Sequence, residues 1–434
     1  MTLAAGFLGG AGGRLLPASI PFRFFAAAAI FHVAMWAILL ASVEQVIRFR
    51  GGMVPAISAV HLLVLGVLAT TAVGSAAQLL PVATRRALVA YWPIRLLFWM
   101  LVPGIVALTA SMFVANMFVL AAAALLTGLA LLMFAVLLAD NLCRAANLPT
   151  VAAFGWAAIA SLTATAVLGP ALSVNYVQTV LEEHASLARA HAVLAAYGFM
   201  GMLALGFSHV LIPMFALSPS PSRGMSIAGF VTAAGAIAIA VLGLVFQNSQ
   251  LVVAGSLIGL VAISIHIRLM LQALRCGMRK RLGLSFWLVR ASWIALPASV
   301  LAGLAAYFGH AGPNGPALFG LILLVGWLLT FLLGILQRIM PFLATMHAPS
   351  SRPGAPALMS ELASDLSLKI HAFCHAAAFA LLCLAVVIDR SAPALAAGWI
   401  GLAGSLAFAL FTTSVIRGLL PVATPDPAST QEDQ

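Results

Sequence analysis

The stretch HLLVLGVLATTAVGSAAQLLPV, residues 61–82, is almost wholly apolar, with glycines at positions 66 and 74 and a proline at position 81. The run is long enough to cross the hydrocarbon core of a bilayer, which takes about 20 helical residues. Residues 191–215 and 326–348 repeat its spacing, Gly-x7-Gly-x6-Pro, as HAVLAAYGFMGMLALGFSHVLIPMF and GWLLTFLLGILQRIMPFLATMHA. The first glycines of the three copies are Gly66, Gly198 and Gly326. Three membrane helices of one pattern therefore recur at nearly equal intervals.

The composition of the whole chain supports a membrane location. Of its 434 residues, 63% are hydrophobic and 7% are charged, whereas about a quarter of the residues of a soluble domain are charged. The chain is therefore expected to be an all-α polytopic membrane protein whose main partner is the lipid bilayer. Its net charge of +11 does not indicate a nucleic-acid partner, because basic residues gather in the cytoplasmic loops of membrane proteins.

Apolar runs predict twelve membrane spans in one transmembrane domain, residues 1–418. The spans are 24–47, 54–80, 94–113, 115–139, 150–172, 190–216, 225–246, 250–274, 286–309, 315–340, 367–388 and 394–416. The glycine–proline helices are spans 2, 6 and 10 and so recur every fourth span, which predicts three pseudo-repeated four-helix units, 24–139, 150–274 and 286–416. Segment 174–189 is interpreted as a polar connector. Residues 419–434 are predicted to form a disordered cytoplasmic tail.

The distribution of Lys and Arg predicts the orientation. With the N-terminus inside, 17 basic residues lie on the inner side and four on the outer side. This asymmetry places both termini in the cytoplasm. The second helix of each unit then runs from outside to inside.

The repeated spacing has a physical interpretation. Two glycines eight residues apart are about 80° apart around a helix and form a smooth ridge, against which a neighbouring helix can pack closely. The proline is predicted to end each helix at the inner interface.

Histidines are the candidate functional residues. The chain has ten, and imidazoles inside a membrane are costly enough to suggest a function. His61 and His191 lie near the outer ends of spans 2 and 6. His371 and His375, in the sequence HAFCH, lie four residues apart on one face of span 11. A neutral imidazole can bind haem iron or copper, and it can equally serve as a hydrogen-bonding core residue.

Other chemistries have less support. The carboxylates Glu44, Asp140 and Asp389 lie near span ends, where a proton-driven transporter would need one near the midplane. The sequence contains no P-loop, GxSxG or HExxH motif. The four cysteines have no ligand spacing and are interpreted as packing residues.

Twelve spans with a histidine in the second and another in the sixth resemble haem–copper oxidase subunit I. The stretches from His61, His191 and Gly326, with the N-terminal PFRFF, resemble the NnrS-type branch. The resemblance implies a multi-pass protein of a bacterial-type inner membrane, with haem b and copper as cofactors, an electron-transfer or respiratory partner, and a role in nitric oxide or respiratory metabolism. It matches His61 to a low-spin haem ligand and, more loosely, His191 to a copper ligand.

The sequence departs from the oxidase pattern at several positions, and these departures limit the functions that the resemblance implies. Span 7 has no histidine pair and span 10 has no histidine, which argues against a proton-pumping oxygen reductase. His61 precedes its glycine by five residues and His191 by seven, so the two rings point about 200° apart relative to the glycine ridge. His371 and His375 enter from the inner side. His371 and His375 are therefore not expected to share one haem with His61. For His61 and His191, two distinct sites, or one site and one structural histidine, are expected rather than a single bis-histidine site.

Two other functions remain open from the sequence. A secondary transporter for a small solute could use the same three-unit architecture without a cofactor. An assembly partner of a respiratory complex would need neither a cofactor nor transport.

Overall fold

The computed structural model describes residues 15–84, 86, 90–145, 149–347 and 365–419. Within these ranges the chain is helical and contains no strand, and 12 helices are long and apolar enough to cross a membrane. The predicted all-α class and the twelve spans are therefore confirmed. The helices are α1 Ser19–Ala41, α2 Pro55–Thr84, α3 Trp92–Val114, α4 Met117–Cys143, α5 Thr150–Val174, α6 His184–Ala216, α7 Arg223–Val245, α8 Ser249–Cys276, α9 Leu284–Tyr307, α10 Gly315–Thr345, α11 Asp365–Ile388 and α12 Ser391–Arg417.

The three helices with the glycine–proline pattern form the centre of the molecule. In the most apolar 18-residue window of α2, α6 and α10, 72%, 83% and 67% of the residues are buried, against 28–50% in the other nine helices. These three helices contact one another, while the others surround them in chain order and α12 packs against α1. A side chain on α2, α6 or α10 is therefore shielded from lipid over most of its helix.

Each central helix contains a π-helical segment at the same place. These segments are Leu62–Ala69, Leu194–Gly201 and Leu321–Leu329. All three end at the same distance before the proline of their helix, and each includes the first glycine of the pattern. π-Helical turns are rare, and many occur at functional sites. Their common position supports the three-unit interpretation, which remains a prediction.

The glycines allow close helix contacts, as the spacing predicts. A Cβ atom on Gly74 would lie 2.8 Å from the Phe24 side chain, and one on Gly206 would lie 2.7 Å from that of Phe154. A Cβ on Gly334 would lie 2.7 Å from a backbone oxygen of α9. In each case the neighbour is the helix that precedes the central helix in the chain.

The prediction that prolines end these helices is wrong. Helix α2 continues past Pro81 to Thr84, and α6 and α10 likewise extend three and four residues beyond their prolines. Proline has a helical φ and obstructs only the turn that precedes it, so a last helical turn can follow.

Two predicted boundaries also differ from the structure. The segment 174–189 is not a connector throughout, because α6 begins at His184. The first predicted span is divided at Ser42, whose hydroxyl donates to the Ile38 carbonyl at 2.7 Å, and a short separate helix Val43–Ile47 follows. Most of the predicted disordered tail, residues 420–434, lies outside the described residues.

Candidate functional site

His61 and His191 lie near the predicted external ends of α2 and α6. The π-helical segments that follow them, Leu62–Ala69 and Leu194–Gly201, are in contact. Two of the four candidate ligands therefore lie on neighbouring helices at the centre of the molecule.

The His61 ring has a defined hydrogen-bonding state. Its Nδ1 lies 3.0 Å from the carbonyl oxygen of Ile57, one helical turn earlier. A carbonyl oxygen only accepts, so Nδ1 carries the hydrogen and donates it. In the neutral ring, Nε2 then has a free lone pair. A histidine that binds a metal has the same arrangement, with the other ring nitrogen donating to a carbonyl or carboxylate.

The His191 ring packs against a glycine of α5. A Cβ atom on Gly169 would lie 3.0 Å from Cε1 of His191. The Nδ1 atom of His191 is buried and has no hydrogen-bond partner among the described residues. A buried imidazole nitrogen that the surrounding protein leaves unpaired is available to a ligand.

The other two candidate ligands lie in a second place. His371 and His375 are stacked, with ring centroids 5.9 Å apart. His32 of α1 lies on the other side of His371, again with centroids 5.9 Å apart. All three rings are buried, with 1%, 4% and 1% exposure for His371, His375 and His32. The sequence marks His32 as an intramembrane histidine, but nothing in its spacing indicates that α1 lies beside α11.

A third pair is not identified by the sequence. His209 of α6 and His266 of α8 have ring centroids 5.9 Å apart. Nδ1 of His209 donates to the Leu205 carbonyl at 2.9 Å, and its Nε2 has no partner among the described residues. The sequence offers one indication of His209. It lies four residues before Pro213, and Gln337 lies at the same distance before Pro341 in α10.

An aromatic contact joins two π-helical segments at the centre. The Tyr197 and Trp327 rings are stacked, with centroids 5.3 Å apart. The Tyr197 hydroxyl lies 2.8 Å from that of Ser299 on α9. The stacking packs the π-helical segments of α6 and α10 against each other.

The side chains that could bind a metal in these histidine clusters are imidazoles. Over the ranges that the structure describes, no group of three or more His, Cys, Asp or Glu side chains is arranged to hold a metal ion.

Comparison with known proteins shows the fold. No protein-family model and no curated protein matches the chain. Among solved structures, the chain is similar to one from a cryo-EM study of a haem–copper terminal oxidase dimer, with a TM-score of 0.64 and 12% sequence identity. The match covers 95% of this chain and 86% of that one. At this identity the likeness establishes the architecture alone: the chain has a fold like that of haem–copper oxidase subunit I.

Proposed function

We propose that this protein binds haem b in the membrane, with His61 as an iron ligand, and works in nitric oxide or respiratory electron metabolism. The observation that carries the proposal is the His61 ring, whose Nδ1 donates to the Ile57 carbonyl and leaves Nε2 free. The fold, shared with a haem–copper terminal oxidase, supports a haem-type cofactor. The specific link to nitric oxide comes from the NnrS-type resemblance of the sequence.

The residues near His61 are compatible with a haem ligand. His191 provides a second imidazole, with an unpaired Nδ1, on the neighbouring central helix. Gly169 leaves room beside that ring where any larger side chain would press on it. His191 is therefore the second candidate ligand at this place.

Haem bound here would supply one-electron chemistry. The protein would hold the His61 ring in one orientation through Ile57 and keep water away with the apolar walls of α2 and α6. These roles are those of an electron carrier or sensor that exchanges electrons with a respiratory partner. They do not require the proton path of an oxygen reductase.

Copper is the second metal that the resemblance implies. His371 and His375 are the residues predicted to bind it, and their rings are stacked, with His32 beside His371. His371 leaves Nε2 and His375 leaves Nδ1 without a protein partner.

An absorption spectrum of the detergent-solubilised full-length protein, expressed with ample haem, tests the proposal. A Soret band and reduced α-band are expected in the oxidised and dithionite-reduced protein. His61→Ala should lose most of this absorbance, about tenfold or more, because imidazole ligation is removed. His61→Met should retain haem with altered bands, because a thioether can replace the imidazole as ligand.

His310→Ala is the matched control, since His310 lies in the connection between α9 and α10 and stacks on Phe308. Its spectrum should equal that of the unaltered protein. Absence of haem from a monodisperse protein would contradict the proposal. Solute flux in proteoliposomes of that haem-free protein would then support the transporter, and co-purification with an oxidase without flux would support the assembly partner.

A further inference from the structure

The second histidine cluster lies midway along its helices. His32 is near the middle of α1, Ser19–Ala41, and Thr330 is at the middle of α10, Gly315–Thr345. His371 and His375 project from the first half of α11, and Gly404 of α12 closes the fourth side. The cluster is therefore near the middle of the membrane, enclosed by four helices.

The hydrogen bonds of the cluster determine where each ring carries its hydrogen. Trp36 Nε1 donates to Nε2 of His32 at 3.2 Å, so the neutral His32 ring carries its hydrogen on Nδ1. Nδ1 of His371 lies 3.1 Å from the Gly404 carbonyl, which only accepts. The hydrogen of His371 is therefore on Nδ1, and its Nε2 has a free lone pair.

Two consecutive hydrogen bonds determine which nitrogen of His375 carries the hydrogen. The Thr330 hydroxyl donates its one hydrogen to the Val325 carbonyl at 2.7 Å. Its oxygen therefore accepts from Nε2 of His375, also at 2.7 Å. The His375 hydrogen is on Nε2, which leaves a free lone pair on Nδ1.

Three buried nitrogens then remain without a protein partner: Nδ1 of His32, Nε2 of His371 and Nδ1 of His375. The first is a donor and the other two are acceptors. A buried polar atom without a partner costs about 1–3 kcal/mol, so this set favours a guest that forms all three bonds. A water molecule has two hydrogens to donate and a lone pair to accept with.

The spacing of the rings suits such a bridge. Two nitrogens bonded to one water at about 2.9 Å each are about 4.7 Å apart. Ring centroids 5.9 Å apart, as for His32 with His371 and for His371 with His375, are compatible with this separation. Buried waters typically make about three hydrogen bonds.

We propose that His32, His371 and His375 bind one water molecule between them in the middle of the membrane. A metal ion between the two free lone pairs would instead face the positive end of the His32 N–H bond. Rotating that bond away would break the contact from Trp36. The donor–acceptor pattern therefore favours a neutral hydrogen-bonding guest over the copper ion of the proposed function, and it does not depend on haem at His61.

Histidine nitrogen NMR of the full-length protein in lipid vesicles tests this assignment. Nδ1–H forms are expected for His32 and His371 and an Nε2–H form for His375, all three receiving magnetisation from water. Signals would be assigned by difference with His32→Phe, His371→Leu and His375→Leu. Single-residue assignment works even if these variants lower the yield, because the tautomers are measured in the unaltered protein.

Trp36→Phe provides the sharper comparison. Loss of the Trp36 N–H should let His32 populate both tautomers, while His371 and His375 keep theirs. Trp156→Phe is the control, since Trp156 lies on α5, 42% exposed, and it should change none of the three. The proposal is overturned if His32 carries its hydrogen on Nε2, if no water transfer reaches the three rings, or if purified protein contains a metal that shifts the His371 Nε2 and His375 Nδ1 signals.

Discussion

Three imidazoles on the membrane-spanning helices are oriented by hydrogen bonds to backbone carbonyls. Nδ1 donates to a carbonyl oxygen in His61, His209 and His371. In each ring this leaves Nε2 as the nitrogen that can meet a ligand. The binding capacity of these histidines is therefore determined by their partners as well as by their residue type.

Gly169 offers a residue-scale test of the site beside His191. A valine there would force its Cβ and two methyl groups onto the ring, whose Cε1 already lies 3.0 Å from the Cβ position. Overpacking of this kind costs about 1–3 kcal/mol. Gly169→Val should lower the thermal unfolding temperature and change the haem spectrum.

Gly235→Val is the matched control, because a Cβ at Gly235 on α7 meets nothing within 4 Å. Equal effects of the two substitutions on stability and spectrum would show that the Gly169 contact has no special role at the site.

The sequence identifies individual residues better than their neighbours. An intramembrane histidine is conspicuous in a chain with 7% charged residues, so His61, His191, His371 and His375 can be singled out. That His32 joins the last two, and that His61 and His191 lie on neighbouring central helices, depends on contacts between helices far apart in the chain. The angular position of a residue on its own helix does not indicate which other helices contact it.

At the scale of the element, a threonine hydroxyl bonds into two of the three π-helical segments. The Thr70 hydroxyl donates to the Leu65 carbonyl, five residues earlier, at 2.8 Å. Thr330 makes the equivalent bond to Val325 at 2.7 Å, and both threonines follow the last π-helical residue. A spacing of five residues is that of the π-turn itself, so the hydroxyl bonds a carbonyl within the widened turn. Glycine and proline spacing identifies these helices but not the widened turn within them.

Thr70→Val should therefore destabilise the protein by about 1 kcal/mol, because it leaves a buried carbonyl without one of its donors while keeping the side-chain shape. Thermal unfolding of the purified protein in detergent measures the effect. Thr413→Val is the control, since Thr413 is exposed on α12 and bonds Ala409 four residues earlier. An unchanged unfolding temperature for Thr70→Val would show that the Thr70 hydroxyl does not stabilise the π-helical segment.

At the scale of the whole molecule, the chain closes into a ring of helices with its first and last spans in contact. On the predicted external side, Arg48, after α1, pairs with Asp389, between α11 and α12, at 2.9 Å. Asn314, before α10, donates to the same carboxylate at 3.1 Å. The span count follows from hydropathy, but this closure does not, because no local pattern encodes which distant spans pack together.

The Asp389 contact predicts a pH dependence. The hydrogen bond from Arg48, followed by that from Asn314, lowers the pKa of the Asp389 carboxyl from its ordinary value. A lowered pKa in the folded state means that the stabilisation is present above the unfolded pKa, about 3.9, and is lost as the pH falls through the folded value. Unfolding temperatures recorded from pH 6 downward should therefore fall less steeply in Asp389→Asn than in the unaltered protein.

The effect should be small and weakened by salt, because both side chains are more than half exposed. Glu182→Gln is the control, since Glu182 is exposed in the connection between α5 and α6, on the same predicted external side. Identical pH profiles for Asp389→Asn and the unaltered protein would exclude a contribution of this pair to stability.

The central claim, that His61 binds haem, is tested most directly by the haem content of the purified protein. A pyridine haemochrome assay on the unaltered protein, His61→Ala and His310→Ala, expressed and purified side by side, gives haem per chain for each. The account predicts haem b in the unaltered protein and in His310→Ala, and its loss from a folded, monodisperse His61→Ala. Equal haem content in all three proteins, or none in any of them, would contradict it.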